Sequence, residues 1–392
     1  MSSRQLDNLL RVPFHRASVG EDEIDAVADV IRSGWLTMGA RTFEFECQFA
    51  SYVGARHAVA VASCTAALHL ALEAVGLRPD DEVLLPTTTF TATAEVVTYF
   101  GARPVLVDVD PRTLNISVEE ASRKITPRTR AIIPVHFAGQ PCDMAEIHDL
   151  ARLHHLRVIE DAAHALPSEY QGRRVGAISE LTAFSFYATK TLTTGEGGMI
   201  TTDNDDYAQR LRLMRLHGIS HDAWKRYGAQ GSWYYEVQEA GYKYNLTDIQ
   251  AALGIVQLAK CDRMCDARHC IAEQYTRQFS GNEALEVPAS PQDRRSSWHL
   301  YVLRLNRSCL RIGRDAFIAE LAERGVSTSV HFIPLHLHPF YRQRYCYKPG
   351  DFPAAENEYE RSISLPIFPS MSDVEVEHCV TAVLDVVRTF AA

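Results

Sequence analysis

The segment LTAFSFYATKTLTTGEGG, residues 181–198, carries the clearest information about the fold and chemistry of this chain. A short apolar stretch ends in small and hydroxylated residues, presents one lysine, Lys190, and then turns on glycines. This order predicts a buried strand, a loop that holds Lys190 and a tight turn into a second strand, because glycine tolerates positive φ. A lysine that is partly desolvated in such a loop has a lowered pKa and becomes a nucleophile.

Strand and helix patterns alternate on the N-terminal side of this segment. Near-continuous apolar strands separated by amphipathic helices predict an α/β fold with a mostly parallel sheet that is covered on both faces. Binding groups of such sheets collect at the carboxyl ends of the strands, where Asp161 and residues 63–65 are expected. The seven predicted strands are residues 58–62, 82–86, 104–109, 131–137, 157–160, 181–187 and 198–202.

The pattern changes near residue 240. The motif GYKYNLTD, residues 241–248, precedes a long helix expected over residues 249–272, which Thr247 or Asp248 would cap. The predicted elements that follow are a strand at 300–305, a helix at 314–324 and a strand at 327–332.

A chain of 392 residues is too long for one simple core, so we expect two domains. The change of pattern predicts a large domain over residues 1–260, which includes the N-terminal helices, and a small C-terminal domain over residues 261–392.

Composition excludes several classes of function. A net charge of -9 and a sequence pI of about 6.0 argue against nucleic-acid binding, which normally needs a basic face. The sequence has neither an apolar run of membrane-spanning length nor a signal-like start, so we expect no membrane association and a cytoplasmic location. The odd number of cysteines, 9, predicts reduced thiols.

Lysine is scarce, which narrows the search for a residue that forms a Schiff base. Four of the lysines fall in predicted turns, a polar loop or a helix, and only Lys190 and Lys243 are placed where an active-site role is expected. The six lysines are Lys124, Lys190, Lys225, Lys243, Lys260 and Lys348.

Asp161 ends an apolar strand in the motif EDAAH, residues 160–164. A buried carboxylate there can keep a pyridine nitrogen protonated. Together with Lys190 it supplies the two groups that pyridoxal 5′-phosphate (PLP) requires of a protein. His164, on the following turn, is in a position to contact an oxygen of the cofactor ring.

Two hydroxyl-bearing segments suit a phosphate. Residues 63–66, Ser-Cys-Thr-Ala, close a strand and start a helix, so their backbone N–H groups and hydroxyls can face an anion. Taken alone, Ser63 is more simply explained as a helix cap. Ser185 precedes Lys190 by five residues, and its hydroxyl can bind the same phosphate. The alternative is that Ser185 is an inward-facing polar residue that needs a hydrogen-bond partner within the protein.

The sequence contains two clusters of potential metal ligands. Cys261, Cys265 and Cys270 lie beside His269 on one predicted helix, but their spacing lacks the pairing of zinc ligands, so no metal is predicted. A second group lacks a nearby acid or thiol, and we expect it to form a substrate-pocket loop in which one or two histidines contact ligand. Its members are His331, His336 and His338.

The chain resembles the PLP-dependent nucleotide-sugar aminotransferases of the DegT/DnrJ/EryC1/StrS family over nearly its whole length. The resemblance implies PLP-dependent transferase fold type I, with a seven-stranded sheet in the large domain, a smaller C-terminal domain and a homodimer with shared active sites. It is carried by GWLTMG (34–39), SCTAAL (63–68), EDAAH (160–164), FSFYATK (184–190), GEGG (195–198) and GYKYNLTDIQAALG (241–254).

The resemblance also implies a role for each matching residue. Lys190 would form the Schiff base and Asp161 would pair with the pyridine nitrogen. His331 matches a histidine on the sugar side of the pocket. The remaining cofactor contacts would come from the backbone of Thr65 and Ala66, the hydroxyl of Ser185, the ring of Phe90, Asn245 towards the neighbouring subunit's phosphate, and His164, where many members have glutamine.

The implied reaction moves an amino group from L-glutamate to a nucleotide-linked ketosugar, with a 4-keto-6-deoxy or 4-keto pentose sugar expected. The alternatives are amination at C3, a sugar dehydratase and a non-catalytic homologue on the same fold. Dehydratases of this type replace the Schiff-base lysine with histidine, so Lys190 favours amino transfer. A nicotinamide oxidoreductase is disfavoured because GEGG lacks the strand-to-helix context of a dinucleotide fingerprint.

Overall fold

The computed structural model describes residues 10–219 and 234–392, so Lys225 lies outside the described residues. The strands are β1 His57–Val61, β2 Glu82–Pro86, β3 Arg103–Val107, β4 Thr129–Ile132, β5 Arg157–Asp161, β6 Glu169–Tyr170, β7 Arg173–Arg174, β8 Leu181–Ser185, β9 Gly198–Thr202, β10 Leu285–Glu286, β11 Arg294–Arg295, β12 Tyr301–Leu305 and β13 Ser362–Leu365. The α-helices are α1 Glu21–Ser33, α2 Ala40–Val53, α3 Cys64–Ala74, α4 Ala92–Thr98, α5 Val118–Arg123, α6 Met144–His154, α7 Asp205–Met214, α8 Asp248–Phe279, α9 Arg314–Glu323, α10 Pro339–Tyr345, α11 Pro353–Arg361 and α12 Asp373–Thr389.

A seven-stranded sheet with the order β1-β9-β8-β5-β4-β2-β3 forms the centre of the protein. Strand β9 runs antiparallel to both of its neighbours, and the other pairs are parallel. The predicted α/β class and the mostly parallel seven-stranded sheet are therefore confirmed.

Both faces of this sheet are buried, as β1 illustrates. Val59 and Val61 pack into one apolar cluster with α3, whereas Ala58 and Ala60 pack into another with Phe45 of α2. Because successive side chains of a strand point to opposite faces, a strand that is buried on both sides must be apolar at every position.

The strand order brings the predicted chemistry to one edge of the sheet. Strands β5 and β8 are parallel neighbours, so Asp161 and Ser185 end at the same edge. Strand β1 is antiparallel to β9, which is antiparallel to β8, so β1 also ends there and α3 starts beside them. The carboxyl ends of three strands thus converge, as is usual for ligand sites in such sheets.

A smaller sheet, β10-β12-β13, packs with α9, α12 and the C-terminal part of α8. Helix α8 extends beyond its predicted end at residue 272. Its Leu258 packs in the large-sheet core and its Tyr275 in the small-sheet core. Residue 260 lies inside this helix, so the division into domains 1–260 and 261–392 stays a prediction.

The predicted strand at 327–332 is wrong. Only Ser329 pairs there, through two backbone hydrogen bonds to Ser364 of 2.8 and 3.1 Å. Beyond it, the ring of Phe332 packs against Phe137 and His164, so an aromatic contact takes the place of further strand pairing. The segment therefore leaves the small sheet and joins the site edge of the large one.

Within the described residues, no helix has the length and apolarity needed to cross a membrane.

Candidate active site

Lys190 lies in the connection between β8 and β9. The loop is held by its own backbone, since the Phe186 N–H donates to Gly197 O and the Thr194 N–H donates to Phe186 O, both at 2.9 Å. Gly195 has φ of 78°, a left-handed conformation that suits glycine. The predicted tight turn into the next strand is therefore present, and it fixes where Lys190 emerges.

The environment of Lys190 favours its uncharged form. Part of the side chain is accessible, but desolvation around Nζ lowers the pKa of Lys190 to about 8, against the opposing effects of Cys64 and Asp161. A lysine with such a pKa has a substantial free-amine fraction near neutral pH, as a nucleophile requires.

Asp161, the last residue of β5, is 5% exposed. Its Oδ2 accepts a hydrogen bond of 2.8 Å from Thr93 Oγ1, and its Oδ1 accepts one of 3.1 Å from the Ala163 N–H. Burial raises the pKa of Asp161, while these two donors and Lys190 oppose the rise. A buried carboxylate with fixed donors is suited to hold a cationic ring nitrogen in place.

Helix α3 begins next to this pair. Ser63 caps it, accepting a hydrogen bond of 3.1 Å from the Ala66 N–H, so the simpler interpretation of Ser63 as a cap is correct. Cys64 lies close enough to Asp161 and Lys190 for their charges to affect its pKa, which burial raises. Thr65, one residue on, therefore lies in the N-terminal turn of a helix that begins near Lys190.

Two predicted cofactor contacts are open rather than packed away. Ser185 ends β8, and its Oγ accepts a long hydrogen bond of 3.4 Å from the Tyr187 N–H. The side chain of Phe90 is 60% exposed, with Phe332 at a ring-centroid distance of 6.1 Å. An aromatic ring that is this exposed beside a buried polar cluster leaves a face on which another ring can stack.

His164 lies in an aromatic stack beside Lys190. Its ring centroid is 4.3 Å from that of His299 and 5.9 Å from that of Phe332. Burial and the charge of Lys190 lower the pKa of His164 well below its usual value, so the ring is neutral. Its Nδ1 is buried without a hydrogen-bond partner among the described residues.

The histidine loop divides into different roles. The His331 ring and the Ser364 hydroxyl share a hydrogen bond of 2.8 Å between Nδ1 and Oγ. Burial and the charge of Lys190 lower the pKa of His331 to about 4. His336 is buried between Thr87 Oγ1 at 2.8 Å and Glu356 at 2.9 Å. Of the histidines expected to contact ligand, His331 thus lies near Lys190. His336 is instead fixed by its hydrogen bonds to Thr87 and Glu356 and has a structural role.

Lys243 and Asn245 lie at the other side of the end of β1. Lys243 Nζ donates to Asn245 Oδ1 at 2.5 Å, and the Asn245 backbone bridges to Val61. Asn245 therefore lies near its own chain's α3.

Across residues 10–219 and 234–392, no group of three or more His, Cys, Asp or Glu side chains is placed to hold a metal ion. Cys261 and Cys265 are buried, Cys270 is exposed, and His269 Nδ1 is 3.5 Å from Cys265 Sγ.

Two residues of the site were not predicted. Thr93 lies in the hydroxyl-rich run 87–93, and this run after β2 was the available signal. His299 precedes β12 and is 109 residues from Lys190, yet its Nε2 is 3.5 Å from Lys190 Nζ. No spacing in the sequence connects those two side chains.

These residues fit a PLP cofactor. The lysine has a lowered pKa, the carboxylate is buried, an aromatic face is open, and the unpartnered Nδ1 of His164 is a buried polar atom that awaits a ligand. With the strand order, they define a PLP-dependent transferase of fold type I, and the cofactor is PLP.

Comparison with known proteins identifies the family. A model of the DegT/DnrJ/EryC1/StrS aminotransferase family matches residues 17–384, so the chain belongs to this family. The expected family, fold type, cofactor and transaminase class are thereby confirmed.

The similar proteins match this chain over nearly its whole length and over nearly the whole of their own. An uncharacterized protein of Methanocaldococcus jannaschii is 53% identical over 96% of this chain and 97% of its own. The spore coat polysaccharide biosynthesis protein SpsC of Bacillus subtilis is 48% identical over 96% of this chain and 97% of its own. The PLP form of a putative sugar aminotransferase, Spr1654 from Streptococcus pneumoniae, has a TM-score of 0.90 to this structure at 32% sequence identity. The match covers 97% of this chain and 99% of that protein.

Proposed function

We propose that this protein transfers an amino group from L-glutamate to C4 of a nucleotide-linked ketosugar, either a 4-keto-6-deoxy sugar or a 4-keto pentose. The observation that carries the proposal is the pairing of Lys190, whose pKa is lowered to about 8, with the buried Asp161 at one sheet edge. The kinship with SpsC, a polysaccharide biosynthesis protein, supports a sugar substrate. The motif GYKYNLTD resembles the branch that makes 4-amino sugars.

In this proposal Lys190 has two tasks. Its amine would hold the cofactor covalently. When free, the same amine would act as general base and acid, taking a proton from one carbon of the substrate and returning it to another. When bound, PLP withdraws electrons from the carbon that carries the amine and so makes its C–H bond acidic.

Asp161 is proposed to hold the pyridine nitrogen protonated, because an ionised carboxylate at hydrogen-bond distance favours the charged form of its partner. Thr93 and the Ala163 N–H would keep the carboxylate oriented.

The other cofactor contacts follow from position. Thr65 and Ala66, at the N-terminal turn of α3, would hold the phosphate together with Ser185, because helix N-termini attract anions. The exposed ring of Phe90 would stack on the cofactor, and His164 would use its unpartnered Nδ1 towards a ring oxygen.

We also propose a homodimer in the cytoplasm whose two sites are shared, with Asn245 reaching the partner's cofactor phosphate and His331 contacting the sugar. The exposure of Phe90 and Tyr187, at 60% and 47%, supports a second chain near the site, since large exposed apolar groups often mark interfaces. Size-exclusion chromatography with light scattering tests the assembly.

The test of the reaction is a glutamate-dependent amination screen over UDP-, GDP- and dTDP-linked 4-ketosugars and 3-ketosugars, with the aminated carbon assigned by NMR. We expect a 4-amino product that requires glutamate. Amination of the 3-ketosugars alone would replace the C4 proposal with C3. Release of ammonia from a sugar without glutamate would identify a dehydratase, and a protein that holds PLP but aminates nothing would be a non-catalytic homologue.

A further inference from the structure

The free amine of Lys190 has one side-chain partner in the described part of the chain. His299 Nε2 lies 3.5 Å from Lys190 Nζ, which is long for a hydrogen bond but within its limit. In the proposed chemistry the free amine of Lys190 moves protons, so a side chain that bonds to this amine bears directly on that step.

The backbone that carries His299 is strained. Trp298 has φ of 49°, a left-handed conformation that is unfavourable for a bulky residue. A Cβ at Gly139 would overlap Ser297 Oγ and lie 3.1 Å from the His299 nitrogen, so the segment approaches as closely as glycine allows. Strain of this kind persists where the surrounding structure fixes it, and it is frequent at functional sites.

A buried cation secures the same segment. The side chain of Arg268 is 1% exposed, and its Nη1 donates to the carbonyl oxygens of Trp298, His299 and Ile367 at 3.3, 3.4 and 2.6 Å. No salt bridge to Arg268 exists among the described residues, although buried guanidinium groups usually have an acidic partner. Arg268 therefore fixes the backbone on both sides of the His299 Cα, although its own buried charge has no acidic partner in the described part of the chain.

Near neutral pH the two side chains carry at most one positive charge between them. Burial lowers the pKa of His299 well below its usual value, and the charges of Lys190 and Arg268 lower it further. His164 and His331 also face His299 but are neutral near pH 7. Cys64 and Asp161 are the other titratable groups that act on Lys190. When Lys190 is an ammonium, His299 is neutral, and its Nε2 can only accept.

We propose that His299 is a positioning residue for Lys190, whose Nε2 accepts a hydrogen bond from the free lysine amine and holds it where it moves protons. The inference rests on the proposed role of Lys190 as proton carrier. An acceptor stabilises the ammonium more than the amine, so His299 offsets part of the fall in the pKa of Lys190 that burial causes. A purely structural histidine would not have this effect.

The experiment uses the protein without cofactor or substrate. Competitive labelling with isotopic acetic anhydride over a range of pH, read by mass spectrometry, gives a titration midpoint for each of the six lysines. In His299→Phe we expect the midpoint of Lys190 to fall by about one pH unit, the size of one hydrogen bond to a charged group. In His299→Gln, whose amide oxygen can accept at the position of Nε2, we expect a change of less than about 0.3 units.

A matched control removes a different histidine. His69 lies among Phe100, Tyr242 and Tyr244, with no hydrogen bond to Lys190, so His69→Phe should leave the Lys190 midpoint unchanged. An unchanged or raised midpoint in folded His299→Phe would overturn the proposal. An equal fall in the phenylalanine and glutamine variants would do the same.

A second measurement decides the matter if His299→Phe does not fold. The ¹⁵N resonance of His299 Nε2, identified by its loss in His299→Gln, should move between the wild type and Lys190→Ala. A resonance that stays in place would mean that no bond exists. Because neither readout involves amino transfer, a shifted midpoint in a protein that aminates no ketosugar would leave the pairing intact and overturn the proposed function instead.

Discussion

The Thr93→Val substitution probes how the fold keeps Asp161 ionised. The Thr93 side chain is buried, and its hydroxyl donates one of the two hydrogen bonds that the Asp161 carboxylate accepts within residues 10–219 and 234–392. Valine has nearly the same shape, so the change removes the donor with little loss of packing. A hydrogen bond to a charged group contributes about 1.5–3 kcal/mol, which corresponds to about one to two units in the pKa of Asp161.

The sign of the pH dependence follows from burial. The pKa of Asp161 in the folded protein is raised, so the folded state holds this proton more tightly than the unfolded state does. Ionised Asp161 therefore lowers stability, and this loss develops as the pH rises through its folded pKa. Thr93→Val raises that pKa further, so its added loss is present above the folded pKa and shrinks as the pH falls below it.

Urea unfolding of the cofactor-free protein at pH 7.5 and pH 5 measures this effect. We expect Thr93→Val to lose about 1.5–3 kcal/mol at pH 7.5 and clearly less at pH 5. Thr93→Ser keeps the hydroxyl and should stay within about 1 kcal/mol of the wild type at both values. Equal losses at both pH values would show that the effect comes from packing or from the 2.8 Å hydrogen bond between the Thr93 and Thr89 hydroxyls, and the reasoning about Asp161 would then be wrong.

Three further substitutions test the site. Asp161→Asn should lower turnover by about 10²-fold or more in the glutamate-dependent assay, because a buried charge partner is lost; activity within threefold of wild type would show that the pairing is misassigned. Lys190→Ala should abolish amino transfer while the cofactor, measured after gel filtration, is still partly retained; near-normal turnover would remove Lys190 from the mechanism. Gly139→Ala should lower stability in thermal unfolding by about 1–3 kcal/mol more than Gly281→Ala. Both glycines have positive φ, but of the two only Gly139 lacks room for a Cβ. Equal losses would mean that Ser297 can move aside.

Much of the fold was predictable because its signals are local. All seven strands of the large sheet were located from apolar runs, and β9 has the predicted bounds. Lys190 is predictable from its place after an apolar strand and from the scarcity of lysine. Asp161 is predictable because the carboxyl ends of parallel strands meet at one edge of the sheet.

The features that were missed depend on distant parts of the chain. Thr247 caps α8 as expected, but Asp248 accepts hydrogen bonds from the Gly39 and Thr42 N–H groups at 2.7 and 2.9 Å. It therefore serves the N-terminus of α2, more than 200 residues away. His299 is hidden in the same way, since only the packing of the small sheet against the large one brings it to Lys190.

The neutral histidines around Lys190 explain how one lysine can govern the protonation of the whole site. Burial and nearby cations lower the pKa of His15 and His331 to about 4, and the pKa values of His164 and His299 lie well below 6.5. Because each of these rings favours its neutral form in the folded protein, they add little positive charge near pH 7. Lys190, with a pKa of about 8, is then the group whose proton changes most across the physiological range. The neutral histidines can then act as hydrogen-bond partners that keep their own protons, which leaves Lys190 as the one group near them suited to carry a proton from one carbon to another in the proposed reaction.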